Sequence, residues 1–227
     1  MTTALFIAGG HTDVGKTHVA CALIRAARAG ALSVEALKPI ASGFDAADWS
    51  ASDPGRLLGA LGLQPTLEAL DRITPWRFAA PLAPPMAARL ESRDLPLSAV
   101  AELCAARLAA TRADLFVLEG VGGLMSPLTD DATGLDLMLR LDLPVVLVGG
   151  GYLGAISHTL TAIEVLRTRW QAVAAVVVSQ DADPDAPDFA GTVALVAAHA
   201  GCIPVIAAPR GGPTDWANEL LTAVTTI

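Results

Sequence analysis

The chain has 227 residues, of which 53% are hydrophobic and 17% charged, enough apolar material for one sizeable core. That balance excludes a disordered chain and favours strands covered on both faces. Fifteen basic residues against 23 acidic ones give a net charge of −8 with no basic tract, which argues against nucleic acid and anionic membrane as partners.

In chain order, residues 4–8 form a short, almost continuous apolar run, which predicts a first strand. The run lacks a basic flank and is too short for a signal peptide, so a cytoplasmic chain is expected. Apolar residues at three- and four-residue spacing predict a helix over 17–28, and a second apolar run predicts a strand over 33–37. Residues 39–96 are rich in Pro, Ala and Asp, with Pro81, Pro84 and Pro85 close together. Loops and short helices lying over the strand ends are expected there. Beyond them the pattern predicts a helix over 97–111, strands over 114–118 and 144–148, a helix over 153–169, a strand over 173–178, a helix over 188–200, a strand over 203–207 and a last helix over 214–224. Strand and helix alternate throughout, as a doubly wound, mainly parallel α/β sheet with helices on both faces requires. No linker, repeat or boundary is visible, so residues 1–227 are expected to form a single domain. No apolar stretch reaches the roughly 18 uninterrupted residues of a membrane span.

The three cysteines, Cys21, Cys104 and Cys202, lie far apart and have no metal-ligand spacing. They read as buried small hydrophobes of a reducing compartment. His11, His18, His158 and His199 do not form a spaced metal set either. His158 is expected as an ordinary helix residue and His199 as a solvent-facing one at a helix end.

Gly10-His11-Thr12-Asp13-Val14-Gly15-Lys16-Thr17 fits G-x-x-x-x-G-K-[ST] in full, between a predicted strand and a predicted helix. This is the P-loop pattern. Its glycines let successive N–H groups turn toward phosphate oxygens, and the helix N-terminus adds a positive dipole end. Lys16 is placed to reach the β- and γ-phosphates, and the Thr17 hydroxyl to ligate Mg²⁺. The motif specifies a nucleoside triphosphate and leaves the reaction open.

Three further stretches narrow the chemistry. Lys38 ends the second strand and opens Lys38-Pro39-Ile40-Ala41-Ser42-Gly43, on the ligand-binding edge of such sheets. Glu119 follows the third strand in Glu119-Gly120-Val121-Gly122-Gly123, where a metal-binding carboxylate is expected and where glycines let the backbone approach a substrate. Asp53, in Ser52-Asp53-Pro54, reads by spacing alone as a structural turn.

Together these stretches resemble dethiobiotin synthetases. The shared features are the loop ending V-G-K-T, the K-P-x-x-S-G segment, the S-D pair, E-G-x-G-G, and Leu153-Gly154 with Ile156 and His158 in place of L-G-x-I-N-H. The likeness is specific to about residue 160 and fades after Gln180. It implies a P-loop fold, a homodimer, and closure of the ureido ring of dethiobiotin from 7,8-diaminopelargonate, CO₂ and ATP with Mg²⁺. By that resemblance Lys16 and Lys38 flank the transferred phosphoryl and the carbamate, and Thr17, Asp53 and Glu119 hold Mg²⁺. Thr12 and Ser42 contact carbamate or phosphate, Gly122, Leu153 and Gly154 contact substrate, and Gln180 stands where an Asn faces the base. The chain departs from the family at Gly9-Gly10-His11, where G-T-D or G-T-G is usual, at Pro85 for His, at Ser157 for Asn and at Gln180 itself. Two rival readings are a ParA- or MinD-like positioning ATPase and a cobalamin-type amidoligase. The first has a second lysine early in the loop, where His11 stands here, and the second needs more chain and a nucleophilic Cys.

Overall fold

The structure is a computed structural model describing residues 2–212 and 214–226. The elements run β1 (Thr3–Gly9), α1 (Lys16–Ala29), β2 (Val34–Leu37), β3 (Ile40–Ser42), α2 (Asp53–Leu61), α3 (Leu67–Ile73), β4 (Trp76–Phe78), α4 (Pro84–Leu90), α5 (Leu97–Ala110), β5 (Leu115–Glu119), α6 (Gly134–Leu141), β6 (Val145–Gly149), α7 (Ala155–Thr168), β7 (Val173–Ser179), α8 (Phe189–His199), β8 (Val205–Ala208) and α9 (Asp215–Thr225). The main sheet has the order β2-β5-β1-β6-β7-β8, and every pairing in it is parallel.

Strand side chains alternate between two cores. Leu5 and Ile7 of β1, Leu115 and Val117 of β5, and Val146 and Val148 of β6 pack against α1, α2 and α9. Their neighbours Phe6, Ala8, Phe116, Leu118, Val145 and Leu147 pack against α5, α6, α7 and α8 on the other face. A strand whose two faces are both dry must be apolar at every position, which is why these segments read as unbroken runs rather than as alternation. Each fully buried Val or Leu contributes roughly 1.5–3 kcal/mol relative to leaving it exposed.

The chain leaves β1 into α1 on one face and leaves β5 through a glycine loop into α6 on the other. The crevice therefore opens at the carboxyl ends of adjacent β1 and β5, where doubly wound sheets bind ligands. The parallel register pairs Ile7 with Glu119 and Leu37 with Leu118. It thereby sets Lys38, one residue beyond Leu37, beside Glu119.

The structure adds elements that the sequence pattern did not predict. Residues 39–96 contain, besides short helices, a two-stranded parallel sheet of β3 and β4. Helix α6 lies between β5 and β6; Thr133 caps it, and Thr133 and Asp136 bond reciprocally as a capping box. Helix α7 begins at Ala155, two residues later than predicted, after Gly154 at φ +96°. Cys202 is exposed, a correction to the expectation that all three thiols are buried. Cys21 and Cys104 are buried, and burial pushes their thiols up to about 11 and about 12. No helix among the described residues is long and apolar enough to cross a membrane.

Candidate active site

The glycine motif forms a tight loop between β1 and α1. Asp13 takes φ +58° and Gly15 φ +99°, so the loop makes two left-handed turns before the helix starts. Gly15 is required twice over. An L side chain is strained at its φ, and a Cβ there would meet Ser179 Oγ at 2.5 Å. Val14 anchors the loop in the core, while His11, Thr12 and Asp13 face solvent. The N–H of Leu124 donates to Gly9 O at 2.8 Å, tying the glycine loop after β5 to the start of the motif. Lys16 folds back so that its Nζ donates to His11 O at 3.4 Å.

Behind the loop lies a buried charge network. Lys38 Nζ donates to Glu119 Oε1 at 2.6 Å and to Asp53 Oδ2 at 2.7 Å. The Thr17 hydroxyl donates to the same Glu119 Oε1 at 2.6 Å. Lys38 and Glu119 are 3% and 1% exposed, whereas the Asp53 side chain is 44% exposed at the cleft. Asp53 is the first residue of α2, with Ser52 accepting from Gly55 N as its cap and Pro54 in the first turn. The structure thus gives Asp53 two roles at once: it starts a helix and it pairs with Lys38. Glu119 Oε2 and Ser42 Oγ are buried and have no hydrogen-bond partner among the described residues.

Electrostatics follow from burial and these pairings. Burial, and then the neighbouring Lys38 ammonium, push Lys16 down to about 8. Burial alone would lower Lys38 as well, but the Glu119 and Asp53 carboxylates outweigh it and hold the ammonium above its ordinary value. Burial pushes Asp53 upward, and Lys38 outweighs that and holds it below the ordinary carboxylate value.

Lys16 sets an expected pH dependence. A bound polyphosphate favours its charged form, so above pH 8 nucleotide binding must take up a proton. Affinity should fall as pH rises from about 8 toward 10.5, with a slope approaching tenfold per pH unit. Without nucleotide the unfolded chain binds more protons at this lysine across that window, so its contribution to stability rises with pH. Calorimetry in buffers of different ionisation enthalpy measures the proton uptake directly. Affinity that stays flat from pH 7 to 10 would contradict the assignment.

Two openings flank the loop. One is a cleft of about 680 Å³, lined by P-loop residues, Lys38, Ser42, Asp53, Gly122 and Pro81 to Pro84. The other, about 440 Å³, lies between Gly10, His11, the 123–127 loop and α7. Thr12, Ser126 and Pro127 line both, so the two openings meet there.

The structure thus brings Thr12, Asp13, Gly15, Lys16, Thr17, Lys38, Ser42, Asp53 and Gly122 to one cleft, with Glu119 directly behind it through Thr17 and Lys38. Gly10 and His11 line the second opening, and Val14 points into the core. Leu153 and Gly154 are exposed, and neither lines either opening. Gln180 is half-buried at the end of β7, and its Oε1 accepts from Arg210 N at 2.8 Å.

His158 is exposed and lines the second opening. Its Nδ1 bonds the Tyr152 hydroxyl at 2.8 Å, and its ring stacks on His11 with centroids 5.4 Å apart. It is thus hydrogen-bonded, as an ordinary helix residue would be, but it also forms a wall of the site. His199 is exposed at the end of α8, as expected. Sequence reasoning missed His18, Arg56 and Arg210, which also line the larger cleft. His18 directly follows the P-loop threonine, a position that was legible. The two arginines had no motif to mark them.

A family model described as an AAA domain matches residues 3–209. The chain is 61% identical over 219 residues to the ATP-dependent dethiobiotin synthetase BioD of Phenylobacterium zucineum (strain HLK1), covering 96% of this chain and 94% of that one. It is 51% identical over 212 residues to the enzyme of the same name from Caulobacter vibrioides (strain NA1000 / CB15N), covering 93% of this chain and 94% of that one. Among solved structures, the MinC:MinD cell division protein complex of Aquifex aeolicus matches with a TM-score of 0.52 over 98% of this chain and 93% of that chain. At 11% identity that likeness shows the shared P-loop fold alone. Identity at this level along nearly the whole chain places the protein by sequence, and the chain belongs to the family of ATP-dependent dethiobiotin synthetases.

Proposed function

We propose that the chain, acting as one P-loop domain, closes the ureido ring of dethiobiotin from 7,8-diaminopelargonate, CO₂ and ATP. The observation that carries this reading is the meeting of the two openings at Thr12 and Ser126, next to Lys16 and the Lys38–Glu119 pair. A nucleotide in the larger cleft would direct its terminal phosphate toward a substrate in the smaller one.

The chemistry proceeds in three balanced steps. One amine adds to CO₂, forming a carbamate and releasing a proton. A carbamate oxygen displaces ADP from the γ-phosphorus. The second amine then attacks the carbonyl carbon of the mixed anhydride, losing a proton and expelling inorganic phosphate as the ring closes. Such phosphoryl transfer depends on positioning and on positive charge where negative charge collects. Loop N–H groups and Lys16 would bind the phosphates, Lys38 would stabilise the oxygens exchanged at the γ-phosphorus, and Thr12 and Ser42 would orient the carbamate. Loop and cleft walls would exclude water that otherwise hydrolyses the anhydride.

The oxygen donors Thr17, Glu119 and Asp53 fit Mg²⁺. Glu119 Oε2 is buried without a partner, and hard oxygen ligands suit this ion. When bound, Mg²⁺ supplies neutralisation of the phosphate charge.

Incubation with the diamine, bicarbonate and Mg-ATP, followed by mass detection of dethiobiotin, tests the reading; ADP release without that product would contradict it. Because the Gln180 side-chain Oε1 already accepts from the backbone N–H of Arg210, base discrimination should be modest, within about tenfold or ~1.4 kcal/mol between ATP, CTP and GTP. A thousandfold preference for ATP would show that another residue reads adenine. The functional unit is proposed as a homodimer. In that dimer a second copy would cover the 88% exposed Leu153 and the 54% exposed Met125, and the start of α7 would complete the diamine site. Sedimentation showing an active monomer at assay concentration would contradict the shared site.

A further inference from the structure

The cleft holds less free positive charge than its lysines suggest. Lys38 is taken up by two carboxylates at 2.6 and 2.7 Å, and Asp13 on the loop adds another negative charge. Lys16 is then the one lysine lining the cleft whose charge no hydrogen-bonded carboxylate among the described residues offsets, against a triphosphate that carries several negative charges.

Two arginines line the same cleft from different elements. Arg56 sits one turn along α2 from Asp53, so both share a helix face. Arg210 follows β8. Among the described residues neither guanidinium forms an ion pair. Arg56 makes no side-chain hydrogen bond, and Arg210 donates only through Nε, to Gln180 O at 2.7 Å. The remaining N–H groups of Arg210 are free for an anion. His18 lines the same cleft, and burial first, then Arg210, Arg56 and Arg25, hold its imidazole below its ordinary value.

Gln180 grips Arg210 at two points, with its side-chain oxygen on the backbone N–H and its backbone oxygen on Nε. The side-chain contact spans from the end of β7 to the loop after β8. Gln180 thus has a task other than reading the base.

We propose that Arg56 and Arg210, coming from α2 and from the loop after β8, clamp the α- and β-phosphates of the nucleotide, with Gln180 as the residue that positions Arg210. Planar guanidiniums bind phosphate oxygens bidentately, a geometry that lysine cannot supply. The clamp contributes mainly to binding, and the lysine pair to the transfer step.

This rests on the reading of the cleft as the ATP site, and the test separates the two. Binding of Mg-ATP and of inorganic tripolyphosphate is measured by calorimetry for the native chain and for Arg56→Gln, Arg210→Gln and Gln180→Ala, alongside KM and kcat for dethiobiotin formation. Each arginine variant should weaken both ligands at least about tenfold, raise KM for ATP similarly and leave kcat within about threefold. Gln180→Ala should weaken binding like Arg210→Gln, and adding it to Arg210→Gln should cost little more. Unchanged binding of both ligands overturns the clamp, as does weakening of ATP without weakening of tripolyphosphate, which would put the arginines on sugar or base. Fully additive losses overturn the role of Gln180. A native chain that binds ATP yet makes no dethiobiotin would defeat the functional reading while leaving the clamp open to the same measurement.

Discussion

Lys38→Ala is expected to lower kcat/KM for dethiobiotin formation at least about 100-fold, the scale of losing a key electrostatic donor at a transferring phosphoryl group. The structure adds a second consequence. Glu119 is 1% exposed and Lys38 is the cation bonded to it, so the alanine variant leaves a buried carboxylate without its partner. Breaking a buried pair from one side costs about 3–5 kcal/mol, so the melting temperature should fall as well. Lys16→Ala should lose activity on a similar scale without that penalty. Lys16 has no carboxylate partner within 4 Å among the described residues, and burial already disfavours its charge. The two variants therefore separate stability from chemistry, and Lys38→Ala turning over normally would show that its assigned role is wrong.

Glu119→Gln is the complementary change and is expected to be equally damaging. The amide keeps the shape but removes the charge that holds Lys38, accepts from Thr17 and carries the unpartnered Oε2. Lys38 would retain only Asp53, which is 44% exposed and so screened by solvent. A loss of at least about 100-fold in kcat/KM is expected, with the Mg²⁺ concentration required for half-maximal rate shifted upward. Activity within threefold of native at an unchanged Mg²⁺ requirement would remove Glu119 from the site.

The sheet was legible because a parallel strand buried on both faces must be almost entirely apolar, and six short runs approached that condition in order, although Glu35 interrupts the one that forms the edge strand β2. The P-loop was legible because a glycine turn, Lys16 and Thr17 stood between a strand and a helix. Lys38 and Glu119 could be named as strand-end residues, but their pairing could not. It depends on β2 lying next to β5, a neighbour relation that is not local in sequence.

Other features left no local signal in the sequence. Strands β3 and β4 are three residues each and lie among prolines, too short to show a period. Helix α6 runs only eight residues from Gly134 to Leu141, and a left-handed Asp142 rather than a glycine follows it, so it lacked a conventional stop. Asp53 looked like a turn because Asp-Pro is common in turns, yet Ser52-Asp53-Pro54 is equally a helix start. Arg210 belongs to the site only because the loop after β8 folds back onto the end of β7. No spacing rule links positions 30 residues apart.

In the proposed reaction a carbamate oxygen is phosphorylated before the ring closes. That step is tested most directly by a single turnover with ¹⁸O-labelled bicarbonate in unlabelled water, quenched before the label exchanges with solvent. When the second amine attacks the carbonyl carbon, the bridging oxygen must leave with phosphorus. One labelled oxygen should therefore appear in inorganic phosphate for each dethiobiotin formed. Dethiobiotin accompanied by unlabelled phosphate would contradict the mixed anhydride, and phosphate released without dethiobiotin would contradict the function itself.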